Sequence, residues 1–150
     1  MPRHIWSVLC RKALVDKDTG TTTLLEVVEG INIAGEPPPI GTAFKFPVEL
    51  ITLWMRSEID FAEEPQACRA VLSGPTSGIH TTPESTIDLA VSPRFRWTLR
   101  IGGIPYFGVG VYEFEVQRRA PGGDWLTDAR IPLHVVRVNV EENAPSNATP

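Results

Sequence analysis

Cysteine is scarce in this sequence, and the two that occur, Cys10 and Cys68, lie far apart and form no C-x-x-C pair. That spacing excludes a disulfide framework and the common zinc arrangements, so both thiols are expected to be reduced and packed among apolar neighbours. Histidine is nearly as rare. His4, His80 and His134 are the only imidazoles, and none stands in a motif. Basic charge is also short, with 14 Lys and Arg against 18 Asp and Glu and a net charge of -4, the wrong sign for a general nucleic-acid binder. Long apolar runs are missing. Ile5 to Cys10 is stopped by Arg11 and Lys12, too short for a signal segment or a bilayer span, so no membrane partner is expected and cytoplasmic residence is the default.

Catalytic motifs are missing as well. There is no P-loop, dinucleotide fingerprint or zinc spacing, and Gly74-Pro75-Thr76-Ser77-Gly78 sets its serine one place too late for a nucleophile elbow. No catalytic residue, cofactor-binding residue, metal ligand or cofactor is assigned, and enzyme activity is the minority reading.

What the chain does have is strand pattern. Tyr112, Phe114 and Val116 alternate with Glu113, Glu115 and Gln117, the period-2 sign of a strand with one buried face. Turn residues Ala120 to Asp124 follow, then a second apolar series of Ile131, Leu133 and Val135. The stretch from Gly108 to Val140 therefore reads as a long hairpin and as the organising element. His4 to Asp16 and Thr21 to Ile33 read as another hairpin about Asp16-Lys17-Asp18-Thr19-Gly20, with Gly30 at a bend or bulge. Gly35 to Ala43, with three successive prolines, is an extended connection. Phe44 to Met55 is apolar on both faces and reads as an interior strand with Pro47 near its start.

Shorter strands are expected at Cys68 to Leu72 and Ser85 to Val91. In Arg94 to Ile101, Phe95, Trp97, Leu99 and Ile101 alternate with Arg94, Arg96, Thr98 and Arg100. With 14 prolines and 12 glycines and no helix-period segment, the chain reads as all-β: a two-sheet antiparallel β-sandwich, immunoglobulin-like or related, of about eight or nine strands. A partly open barrel is the alternative. Residues 1–140 make one domain, and 141–150 a disordered tail.

The order of these features resembles an uncharacterised family of small bacterial β-sandwich domains. The likeness rests on Leu9 to Asp16, Asp18 to Gly20 and Leu24 to Val28, then the two-faced strand Phe44 to Met55 and the Pro/Gly turn closing Ala70 to Gly78. It ends on Gly110, Tyr112, Phe114 and Val116, and spans about residues 4 to 138. It implies a sandwich fold and brings no catalytic residues with it.

Four features remain as candidates for function. Asp16-x-Asp18-x-Gly20 opens like a calcium loop but has glycine at the third ligand position and Val27 where a bidentate glutamate would close the shell, so a hairpin turn is expected. Glu58, Asp60, Glu63 and Glu64 read as a solvated loop, with cation binding as the sharper alternative. The arginine row Arg94, Arg96, Arg100 points away from the aromatics between its members, which disfavours base stacking; cross-strand pairing with Glu113 and Glu115 is expected instead. Ile104, Pro105, Tyr106 and Phe107, on a glycine-flanked connection, are the partner-binding candidates, against a plainer role as a plug for the end of the sandwich. The expected function is non-enzymatic: a protein-interaction or self-assembly module, with a protein partner or a homo-oligomer. The alternative is a small-ligand or cation-binding domain using the acidic loops.

Overall fold

Tyr112, Phe114 and Val116 are almost wholly buried, while the residues between them are half-buried. This alternation places β11 (Gly110–Arg119) against the interior, and β12 (Leu126–Val138) returns antiparallel beside it, with Tyr112 opposite Leu133 and Glu115 opposite Arg130. The structure is a computed structural model describing residues 1–138. The expected end of the hairpin at Val140 and the expected tail 141–150 lie outside the described residues.

The other strands are β1 (Arg3–Val15), β2 (Thr22–Val27), β3 (Gly30–Ala34), β4 (Ala43–Phe44), β5 (Val48–Met55), β6 (Gln66–Ser73), β7 (Ile79–Thr81), β8 (Ser85–Ile87), β9 (Arg94–Ile101) and β10 (Ile104–Pro105). One sheet runs β2-β1-β5-β9. The other runs β3-β12-β11-β6-β7, with β8 also paired to β6, and β10 and β4 make a small separate pair. The fold is an all-β, two-sheet sandwich and no closed barrel. Among the described residues there is no helix, and so none long and apolar enough to cross a membrane.

The core is shared between the sheets. Leu9, Val48, Leu50 and Trp54 from the four-stranded sheet meet Leu72, Tyr112, Phe114, Val116, Leu133 and Val135 from the six-stranded one. Each such side chain contributes about 1.5–3 kcal/mol by leaving water. As its two apolar faces suggest, β5 is interior, between β1 and β9, and Pro47 stands just before its first residue.

Three expectations are corrected. The described residues hold twelve strands rather than eight or nine, because the expected strand Thr21 to Ile33 divides into β2 and β3, and because β4, β7 and β10 are only two or three residues long and too short to show alternation; the expected strand Ser85 to Val91 is present only as β8. The pairing is not wholly antiparallel: β3 runs parallel to β12, Ile31 opposite Val135. Gly30 accordingly marks where the chain leaves the first hairpin for the other sheet. Before that point, inside β2, Glu26 is held at φ 54° in a left-handed conformation uncommon for a side-chain-bearing residue.

The third correction concerns the arginine row. β9 pairs with β5 in one sheet and β11 lies in the other, so Arg94, Arg96 and Arg100 do not face Glu113 and Glu115. The short link between the strands crosses from sheet to sheet. Arg130 on β12 takes both glutamates, at 3.0 and 2.8 Å. Arg100 instead meets Glu49 at 3.5 Å, and Arg96 donates from Nη2 to Gly20 O at 3.1 Å.

Candidate functional site

The connection carrying Ile104, Pro105, Tyr106 and Phe107 is drawn into the end of the sandwich. Ile104, opposite Phe44 in the β10–β4 pair, is fully buried and Tyr106 is 5% exposed. Tyr106 is tied by its backbone to Gly41 and Thr42, and its ring meets Phe44 edge-on. Phe107 stacks on Tyr112 with ring centroids 6.2 Å apart. Its ring lies so close to Gly74 and Gly78 that a Cβ at either would come within 2.4 or 2.2 Å of it. Only glycine fits there. Thr76 Oγ1 donates to Phe107 O at 2.9 Å, so the 74–78 turn wraps the phenyl ring.

Tyr112 completes the arrangement. Its hydroxyl accepts from Phe107 N at 2.6 Å and donates to Gly108 O at 2.7 Å, the geometry of a tyrosine corner in sandwich folds. Burial pushes its phenol above the ordinary range, although the Phe107 amide works the other way. Of the four partner-binding candidates, Ile104 and Tyr106 are thus core residues. Pro105 and Phe107 remain half-exposed.

Pro105 adjoins a cleft of about 250 Å³ between the sheets, where β9 and β7 form the two edges. Leu99 and Ile101 line it from β9, Leu72 and Phe114 from the six-stranded sheet, and His80 and Arg100 supply polar groups. The edge beside it has a definite polarity. Arg56 N donates to Pro93 O at 2.9 Å, and Phe95, Trp97, Leu99 and Ile101 lie opposite Trp54, Thr52, Leu50 and Val48. Because antiparallel strands alternate bonded and outward-turned residues, Arg96, Thr98 and Arg100 turn their N–H and C=O groups to the open edge, while Arg94 N, also turned outward, donates to Ser92 Oγ at 3.3 Å. Arg94, Thr98 and Arg100 also have exposed side chains.

The remaining sequence candidates are occupied by local structure. Asp16 Oδ1 accepts from Asp18 N and Thr19 N, at 2.8 and 3.2 Å, and these amides hold its carboxyl below the ordinary range. It is a hairpin-turn residue. In the acidic loop, Glu63 accepts from Ser57 N at 2.7 Å and pairs with the N-terminal ammonium at 3.3 Å. Among the described residues no three His, Cys, Asp or Glu side chains converge as metal ligands would.

Two polar groupings escaped sequence reasoning. Arg118 bonds both oxygens of Asp128, at 3.1 and 2.8 Å, and reaches Gln66 Oε1 at 3.2 Å. Its signal was phase, since Arg118 continues the buried row of Tyr112, Phe114 and Val116. The second is a chain in which His4 Nε2, Ser7 Oγ and Thr52 Oγ1 stand 2.8 Å apart in succession. Desolvation holds the imidazole below its ordinary pKa, with the Asp128 charge opposing. Asp128 is bonded to Trp54 and Arg118 rather than to His4, so the orienting carboxylate of a nucleophile-base relay is missing.

No protein-family model matches the chain, and no curated protein or solved structure matches it either. The resemblance to bacterial sandwich domains therefore gains no support from these comparisons.

Proposed function

We propose that this protein is an interaction module that captures an extended segment of another protein by strand addition along β9. One observation carries the reading: an eight-residue edge whose outward backbone groups lie beside a cleft reaching the apolar interior. Strand addition draws affinity from main-chain hydrogen bonds and selectivity from pockets that take alternate side chains. The facing edge of the other sheet is less suited, being divided between β7 and β8 at three residues each. At about 250 Å³ the cleft falls below the usual range for small-molecule sites, which favours a side chain as occupant over a free ligand. Buried, unpaired Cys10 and Cys68 fit a cytoplasmic setting.

The test uses Thr98→Pro. The Thr98 N–H turns to the open edge, so proline there removes a docking donor without breaking a bond to β5. The variant is expected to melt close to the parent while losing affinity for extended peptides. On binding, the Arg96, Thr98 and Arg100 amides should become protected from hydrogen exchange. Unchanged peptide binding by Thr98→Pro, or protection confined to other strands, would rule the reading out.

A further inference from the structure

Resting on that edge reading, we infer that the segment captured is heterotypic and alternates acidic with apolar side chains. Residues directly opposite across a ladder share a face, so β9 dictates the pattern of any strand laid beside it. Every second side chain of the added strand falls in line with Phe95, Trp97, Leu99 and Ile101, and those beside Leu99 and Ile101 lie over the cleft lined by Leu72 and Phe114. Apolar groups of valine or leucine size suit that row. The alternate side chains fall beside Arg94, Arg96 and Arg100.

That outer row is only partly paired. Glu49 meets Arg100 only at 3.5 Å, and the arginine side chain is 85% exposed. Arg96 gives one nitrogen to a backbone carbonyl, while its buried Nε has no acceptor. Carboxylates on the incoming strand would meet these guanidinium groups.

The same row opposes a second copy. If two β9 strands paired antiparallel about a two-fold axis, the centred register would set Arg94 of each copy against Arg100 of the other. Slipping by two residues either way sets Arg96 against Arg96 or against Arg100. Like charges directly opposite destabilise a ladder, so β9 is arranged against self-pairing and for an acidic partner.

The experiment measures binding of three fluorescent peptides of equal length, alternating Glu/Val, Ser/Val and Lys/Val, each with an N-methylated counterpart that cannot donate along one edge. The Glu/Val peptide is expected to bind at least about tenfold tighter than Lys/Val, and to weaken as salt rises. The double variant Arg94→Glu/Arg100→Glu should reverse that order. N-methylation should abolish binding in every case. Equal affinity for all three peptides, still lost on N-methylation, would overturn the charge inference and leave the edge reading intact. No binding by any peptide, or binding indifferent to N-methylation, would overturn the edge reading itself. Sedimentation of the parent as a dimer that Thr98→Pro dissociates would overturn the argument against self-pairing.

Discussion

Trp54 Nε1 donates a 2.8 Å hydrogen bond to Asp128 Oδ2, joining β5 of one sheet to β12 of the other through the core. The same carboxylate neutralises Arg118, and both side chains are about nine-tenths buried. Asp128→Ala would leave the guanidinium charged and unpaired inside the sandwich, a change that costs about 3–5 kcal/mol. Trp54→Phe leaves the Arg118–Asp128 pair in place but removes the indole donor and part of a fully buried ring, so the lost charged hydrogen bond, about 1.5–3 kcal/mol, is joined by a cavity cost. Urea denaturation of the two variants gives the comparison. A cost below about 1 kcal/mol for Asp128→Ala would mean that Arg118 reaches water when its partner is removed.

Tyr112 separates packing from hydrogen bonding in one position. Tyr112→Phe retains the ring but loses the contacts to Phe107 N and Gly108 O, so about 1–3 kcal/mol should be lost. Tyr112→Ala and Phe114→Ala remove buried rings and should each cost about 3–5 kcal/mol. Equal unfolding midpoints for Tyr112→Phe and the parent would show that the corner bonds are exchanged for water at no net loss.

These residues also show what could be read from sequence. β5 and β11 were legible because each is long, and because burial on at least one face forces a period of two. Pairing over distance was not. β3 and β12 are brought together across about a hundred residues with no local sign of it, since strand partners are chosen by tertiary packing. The nearness of Arg94 to Glu113 in sequence misled for the same reason: the intervening link carries the chain between sheets. The site was legible in composition and not in placement. Tyr106 and Phe107 stood out as adjacent aromatics, yet only the fold shows Tyr106 inside and Phe107 held by Gly74 and Gly78. The open edge of β9 is a property of the sheet order, which no single strand declares.

The glycine clamp makes its own prediction. Gly78→Ala drives a methyl group into the Phe107 ring, and overpacking of this kind costs about 1–3 kcal/mol. In a Phe107→Ala background the obstruction is gone, so the added cost of Gly78→Ala should nearly vanish. A double-mutant cycle reads the coupling directly. Additive losses would show that the glycine is needed for the conformation of its own turn instead.

Cys68 links burial to pH. Burial on β6 pushes its thiol up to about 12 from an ordinary 9.0, against a smaller opposing effect of the Ser85 backbone. Between those values the unfolded chain releases the proton while the folded chain keeps it. The thiol's contribution is therefore full below pH 9.0 and is lost as the pH rises toward about 12. Cys10 and Tyr112 are raised in the same direction, so the whole protein should weaken in alkali, and a comparison is needed to isolate one group. Cys68→Ala cannot titrate at this position. The parent should lose stability more steeply than the variant as the pH rises from about 9 to about 11, and the difference between their urea midpoints should shift accordingly. Because all other groups are common to both chains, a difference independent of pH would place the Cys68 thiol in contact with water.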